Sequence, residues 1–591
     1  MKKIIYIILP SILLLFASCA DEFIDLTPPA EITNEVYYNE PEHFLTGSNT
    51  FYTGLIQWKG NMGYLMDHGS DLTGLKENSD EQKYSRGDLV ASETDDFYNN
   101  TYTSIRDINL LIERAESYAG DPNDIAEYVA VSYFFRAYQH FFLVQRFGGV
   151  PLITKSLLVD SEEGYAPRNS RYEVVAQVLS DLDVAIAGLP TEQNIASNDK
   201  GKISKWAAMA FKAEVLLHEA TWMKYVGTST DGDGVSSGAG SAGFNDSNID
   251  LYLQEVITLT KTVMDQGGFE LWNYNDVLDN MSSYFLFMLE DSGSNPAGLD
   301  KTSNKEYIFY GKYDATLKPG DALFSHTAVG RLKPSRKMLD MLLCIDGLPI
   351  DQSPLFQGYV NVSDEFQNRD YRMRAYFTDN ATHEIPVDGT VLLKGENDFG
   401  SFNSKFVSWN WPVYRASHEE SPDLPYIRLA EVYLMYAEAL YELNGSLTDA
   451  QMNESINLVK ARAGLPAISN AFLATNNMNI ETEIRRERTI ELFAETSRYN
   501  DLRRWGIAEE ELSADIFGAV IEGTAYQDND ALYTPSSYAF GEKTTKTGVG
   551  DRRCLLLEKG EVRNFTREDY LYPLPIVELN LNQNLLQNPG Y

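Results

Sequence analysis

The sequence predicts a mainly α-helical protein, with tetratricopeptide-like helix hairpins flanking an irregular, loop-rich middle. Apolar residues recur at three- and four-residue spacing in runs too long for strands. Alanines fall where neighbouring helices must approach closely, as in stacked hairpins. Between about Gly267 and Leu424 the helical period gives way to aromatic, Gly/Asn/Asp-rich stretches, the composition of loops and short elements.

The first helix runs from Ala126 to Phe147. Val129, Tyr133, Phe134, Ala137, Phe141 and Val144 keep helical spacing while aromatics wrap the circumference, so it must be buried on several sides. Gly148-Gly149 stops it and Pro151 prevents continuation. Arg171 to Ala187 carries one stripe of Val174, Val178, Leu182 and Ala185, closed by Leu189-Pro190. Lys205 to Lys224 is rich in alanine (Ala207, Ala208, Ala210, Ala213), and Tyr252 to Gln266 makes the next helix. Helical order returns at Tyr426 and runs to Leu443, ended by Asn444-Gly445; a partner from Asp449 to Ala463 and a long helix from Ile480 to Trp505 follow. No strict 34-residue consensus is visible, so the repeats are degenerate. The Gly/Ser-rich run Gly227 to Gly243 reads as a flexible, solvated insertion.

Composition excludes one class of partner. With 86 acidic against 49 basic residues the formal net charge is −37, and no basic cluster escapes an acidic neighbourhood, so nucleic-acid binding is not expected. Cys19, Cys344 and Cys554 are too few for a disulfide framework, and whether Cys344 pairs with Cys554 is left open.

Catalytic motifs are missing. There is no G-x-S-x-G elbow behind an apolar strand, no H-E-x-x-H and no Walker loop. The literal G-x-G-x-x-G at Gly238, Gly240 and Gly243 has no apolar strand before it and reads as a chance match. Asp231-Gly232-Asp233-Gly234 lacks the EF-hand pattern, so no metal or cofactor is expected. His140 lies inside the aromatic helix as a core residue, and Trp206, Trp222 and Trp505 sit on helices as core. The mixed charges around Arg428, Glu431 and Glu438 and from Arg485 to Arg504 read as ion pairs on and between packed helices.

The N-terminus reads as an address. Met1-Lys2-Lys3 precedes an apolar run, Ile4 to Phe16, too short to span a membrane. The following Leu15-Phe16-Ala17-Ser18-Cys19 resembles a bacterial lipobox, which makes Cys19 the lipidated first residue of the mature chain. The expected division is a signal peptide, 1–18, a lipidated tether and lead-in, 19–40, and one unit, 41–591. That unit has a helical part to 266, a loop-rich ligand side over 267–424 and a second helical part from 425.

Five blocks, in order, carry a family resemblance: RAYQHFFLVQRFGGVPLIT (136–154), IRLAEVYLMYAEAL (427–440), INLVKARAGLP (456–466), RRERTIELFAETSRYNDLRRWG (485–506) and YPLPIVELNLNQNLLQNPGY (572–591). Together, behind a lipobox, they resemble the SusD/RagB family of surface glycan-binding lipoproteins of Bacteroidetes. The resemblance implies four degenerate tetratricopeptide-like helix pairs beside a loop-rich subdomain. It also implies an outer-membrane, outward-facing, lipid-anchored binder, not an enzyme, that delivers oligo- or polysaccharide to a SusC-like TonB-dependent transporter. A relative that binds a peptide or other nutrient, or a surface hydrolase, are the alternatives.

Sugar rings stack on aromatic faces while their hydroxyls seek polar partners. Aromatics in polar, non-helical surroundings are therefore the ligand candidates: Trp58 and Tyr64, Trp272 and Tyr274, Trp409 and Trp411. In the family the early loop commonly contributes to the site, which adds Asp67 and Asp71 as hydroxyl partners. The chain end, Gln587 to Tyr591, is expected to dock on the fold.

Overall fold

The computed structural model describes residues 37–58, 67, 70–74, 83–157, 161–317, 333–361, 363–378, 386–387, 390–391, 401–409, 413, 420–527 and 540–591. Cys19, Tyr64 and Trp411 lie outside these residues.

The helices stack in sequence. After α1 (Pro41–Phe51) come α2 (Asp96–Glu116), α3 (Ala126–Phe147), α4 (Arg171–Gly188), α5 (Lys205–Tyr225) and α6 (Asn248–Gln266). Each of α2 to α6 packs on its predecessor, and α6 then packs on α7 (Leu429–Asn444), which meets α8 (Ile480–Glu491). The third pair of the stack, α6 with α7, is thus interrupted in sequence by the whole loop-rich region. Local chemistry sets the ends. The Asp95 carboxylate accepts the Phe97 and Tyr98 amides to start α2, Ser170 and Glu173 form a capping box at α4, and Gly148, at φ +74, ends α3. On α5 the side chains of Ala207, Ala208, Ala210 and Ala213 are fully buried, as close helix approach requires.

Among the described residues, the three largest hydrophobic clusters fill most of the interior. The largest lies among α1 to α7 and takes in Phe565 to Leu574 near the chain end. The second fills the loop-rich region around Leu286, Met338 and Phe377, and the third sits between α7, the 456–462 helix and α8. An antiparallel pair, β1 (Tyr307–Gly311) with β2 (Leu424–Arg428), runs from the second cluster to the start of α7.

Several expectations need correction. Tyr426 to Arg428 form the end of β2, not the start of a helix, because they pair with β1. The predicted 449–463 helix is two, Asp449–Asn453 and Ile456–Arg462; at the break the Ser455 hydroxyl donates to the Gln451 carbonyl, competing with the helical ladder. The predicted 480–505 helix also breaks. Lys405 donates to the Phe493 carbonyl (2.7 Å) and Arg428 to that of Glu491 (2.8 Å), while Ala494 and Thr496 turn to φ +63 and +68 before a helix restarts at Arg498–Arg504. Those carbonyls find cationic partners in place of the next helical turn. Part of the C-terminal segment is sheet: β3 (Ile516–Val520), β4 (Glu542–Thr547) and β5 (Gly550–Glu558) form an antiparallel sheet in the order β3-β5-β4.

The 227–243 run is a bonded loop whose tip, Asp233 to Ser236, is solvated as expected while its flanks are tied down. Buried Asp231 accepts hydrogen bonds from Tyr172 and Ser241 through one carboxylate oxygen (2.9 Å each), and the Gly238 amide donates to the Gln587 carbonyl (2.7 Å). A Cβ at Gly238 would lie 2.0 Å from the Asp231 carbonyl oxygen, so its glycines serve tight turns. The chain end docks as expected. Arg168 donates to Asn588 Oδ1 (2.7 Å) and to the Phe147 and Leu586 carbonyls.

Candidate functional site

The structure sorts the sequence-predicted residues by burial. Trp58 and Trp272 are each 2 % exposed. The Trp58 indole donates to the Pro422 carbonyl (2.9 Å) and meets Phe406 edge-on at 5.3 Å; that of Trp272 donates to Ser303 Oγ (3.0 Å). Neither ring offers a free face to a sugar, which corrects their assignment as platforms: both anchor the second cluster. Tyr274 and Trp409 remain half-buried at its edge, against Trp272 (4.9 Å) and Phe285 (6.0 Å).

Asp67 and Asp71 are buried as well. Asp71 takes a bidentate pair from Arg498 (2.8 and 2.6 Å) and an ion pair from Lys337 (2.7 Å). Burial raises its pKa, but the two cations outweigh that and hold it well below the usual carboxylate range. Asp67 accepts the Arg498 amide (3.0 Å), and burial pushes its carboxyl up to about 7. Both aspartates fasten the early segment to the helix that starts at Arg498.

The charges read as ion pairs form a buried lattice between the loop-rich region and the repeats. Glu491 receives Arg428 (2.6 Å), Arg372 (2.8 Å) and Arg462. Arg428 also reaches Glu306 (2.9 Å) and Glu495 (2.8 Å), while Arg488 and Arg504 share Asp501 (2.8 Å each). Every carboxylate here has a guanidinium beside it, the condition under which buried charge is tolerable.

A cleft of about 730 Å³ opens elsewhere, between the Thr53–Gln57 turn, the start of α2 and one face of α3. Phe97 and Phe142, both half-buried, sit 5.9 Å apart with their rings inclined at 42°, and Tyr138 lines the same wall. Arg146 stacks over Phe97 at 4.6 Å and is fixed by Asp95 (2.8 Å). Amides surround this floor: Asn100 is exposed, Gln139 is buried with its side chain against Gly54, and Gln57 lies on the turn. A Cβ at Gly54 would stand 2.7 Å from Gln139 Nε2, so glycine lets the turn close over that amide. Behind the floor, sharing Ile56, Tyr138 and Phe142, lies a smaller cavity of about 120 Å³ lined by Glu214, Glu431 and Arg488. Burial, with Glu431 nearby, pushes Glu214 up to about 8.

Aromatic floor, amide rim and half-open volume together suit an uncharged polyhydroxylated ligand. Sequence reasoning missed these residues because Phe142 lies inside the aromatic helix read as core. The available signal was a Phe and an Asn three apart, Phe97 and Asn100, in the first turn of an N-capped helix.

Fold and cleft define a helical-repeat protein with an open, aromatic-floored cleft at one end of its stack. The family follows from comparison with known proteins. The profile described as "SusD family" matches residues 291–591, and that described as "Starch-binding associating with outer membrane" matches 52–217; the chain belongs to the SusD family. SusD-like protein P25 of Formosa agariphila is 23 % identical over 515 residues, 83 % of this chain and 87 % of that one. SusD-like protein P38 of the same organism is 28 % identical over 206 residues, which span 34 % of this chain and only 39 % of P38. A SusD-like carbohydrate-binding protein from Bacteroides fragilis shares the fold, with a TM-score of 0.68 at 22 % identity over 93 % of this chain and 99 % of that one. Among the described residues no helix is long and apolar enough to cross a membrane, and no group of His, Cys, Asp or Glu is placed to hold a metal ion.

Proposed function

We propose that this chain is an outer-membrane surface lipoprotein, anchored through Cys19, that binds oligo- or polysaccharide non-covalently and hands it to a SusC-like TonB-dependent transporter. The observation that carries the reading is the cleft at α2 and α3, where aromatic rings and amides converge beside the Arg146–Asp95 ion pair. A pyranose lies against Phe97 and Phe142, its C–H face on the rings, while Asn100, Gln139 and Gln57 exchange hydrogen bonds with its hydroxyls. Binding needs no bond-making step; the preformed floor lowers the ordering cost of capture. Family membership supports the ligand class, since the solved neighbour from Bacteroides fragilis is a carbohydrate-binding protein, and the outer-membrane description of the second profile supports the location. Tyr274 and Trp409, at the edge of the second cluster, are proposed as outlying contacts for a longer chain.

The test is calorimetric titration of the full mature chain with heptasaccharides cut from starch, laminarin, xylan, mannan, pectin and mucin, beside an assay for released reducing ends. Saturable heat with at least one glycan and no new reducing ends is expected. Heat with peptides alone, or steady release of reducing ends, contradicts the reading. Cys19→Ala should move the protein from the membrane fraction to the soluble one, and retention contradicts the anchor.

A further inference from the structure

A second cleft, of about 660 Å³, lies on the loop-rich side and shares no lining residue with the first. Its walls come from the helix Arg336–Met341, the turn at Pro349–Asp351 and the end of β4 at Thr544–Gly548. The turn after β4 is pressed onto Ile350, since a Cβ at Gly548 would lie 2.0 Å from Ile350 Cγ1, so this wall is fixed by packing. Half-buried Phe517 gives the cleft an apolar patch.

The lining charges are largely spoken for. Asp71 is held by Arg498 and Lys337, Asp340 by Arg336 (2.9 Å), Glu511 by Lys337 and Asp515 by Lys543. A ligand with formal charge therefore finds only Lys546 and Asp351 at the rim to neutralise it, and the chain's net charge of −37 repels anions at longer range. The groups still unused suit hydroxyls. Among the described residues the side chains of Thr544 and Thr545 make no hydrogen bond, and Lys546 and Asp351 at the rim have no ion-pair partner. They supply donors and acceptors in near balance around an apolar patch.

We propose that this cleft is a second saccharide-binding site, taking a neutral stretch of the same glycan chain that the α2–α3 cleft binds. The inference rests on the glycan reading given above. Two sites on one chain make the second contact with a long polysaccharide intramolecular, so a polymer that spans both is held more tightly than a short oligomer.

The experiment is calorimetry combined with hydrogen exchange on the full mature chain, using the heptasaccharide panel. Two oligosaccharides per protein and slowed exchange in peptides covering 544–548 are expected. Thr544→Arg, which places bulk on an exposed strand position, should reduce the stoichiometry to one and leave the melting temperature within about 1 °C, as exposed substitutions generally do. Asp351→Ala, at an exposed turn, should weaken only the second site, by about tenfold. One site per protein, unchanged exchange at 544–548 and wild-type binding by both variants overturn this inference while leaving the glycan reading intact. If no panel member binds the wild-type chain, the glycan reading falls and this inference with it.

Discussion

The wall of the α2–α3 cleft and the interior of the second hydrophobic cluster use aromatic side chains in opposite ways. In the stack, regular helices already satisfy their own backbone, and Phe97 and Phe142 stay half-buried on a cleft wall. In the loop-rich region, irregular backbone has no such self-sufficiency. Trp58 and Trp272 go inside, and their indole N–H groups bond to partners in distant segments, tying down what hydrogen-bonded helices would otherwise hold. At Trp58 and Trp272 an aromatic in a polar loop is thus the nail that fixes the loop, not a platform for ligand.

The most severe way to break the contrast is to remove the lattice joining the two regions. Glu491→Ala strands Arg428, Arg372 and Arg462 without their shared carboxylate and should cost at least about 3–5 kcal/mol, measured by chemical denaturation. A loss below about 1 kcal/mol would show that the lattice is not what couples the halves. Next in size, Trp58→Ala should cost about 3–5 kcal/mol while any protein that still folds keeps its glycan affinity. Lost affinity at unchanged stability would return Trp58 to the role of platform.

How far the sequence reaches follows the same division. Helix α3 was legible to the residue because its whole signal lies within one run closed by Gly148, and the mixed charges of 485–504 were legible as ion pairs. The breaks at Ser455 and after Glu491 were not, because the second depends on Lys405 and Arg428, which arrive from far along the chain. The start of α7 was misplaced for a similar reason: Tyr426 to Arg428 are claimed by β1. Of the candidate ligand residues, type alone cannot distinguish half-exposed Trp409 from buried Trp58, since burial is a property of the assembled fold. Asp71 was found beside a cleft, but its carboxylate is committed to Arg498 and Lys337.

A smaller effect sharpens the picture behind the first cleft. Glu214 faces Glu431 on α7, Arg488 on α8, and Asp501 and Arg504 beyond it. Its pKa is raised from 4.5 to about 8 in the folded chain, so between those values the folded state holds a proton that the unfolded state releases. Its contribution is therefore fully present below about pH 4.5 and is lost as pH rises toward 8. Glu214→Gln keeps the neutral form, so its melting temperature should exceed that of the wild type by about 2 °C or more at pH 8.5 and match it near pH 4.5. A constant difference across this range would contradict the assignment.

The central claim is that sugar binds on the floor formed by Phe97 and Phe142 with the amides beside it. It is tested most directly by the affinity of the double variant Phe97→Ala/Asn100→Ala for the tightest-binding heptasaccharide, alongside its melting curve. A loss of about 30-fold or more in a protein that still melts cooperatively is expected, from one stacking contact and one hydrogen bond removed. Wild-type affinity in that variant would contradict the account and move the ligand away from this cleft.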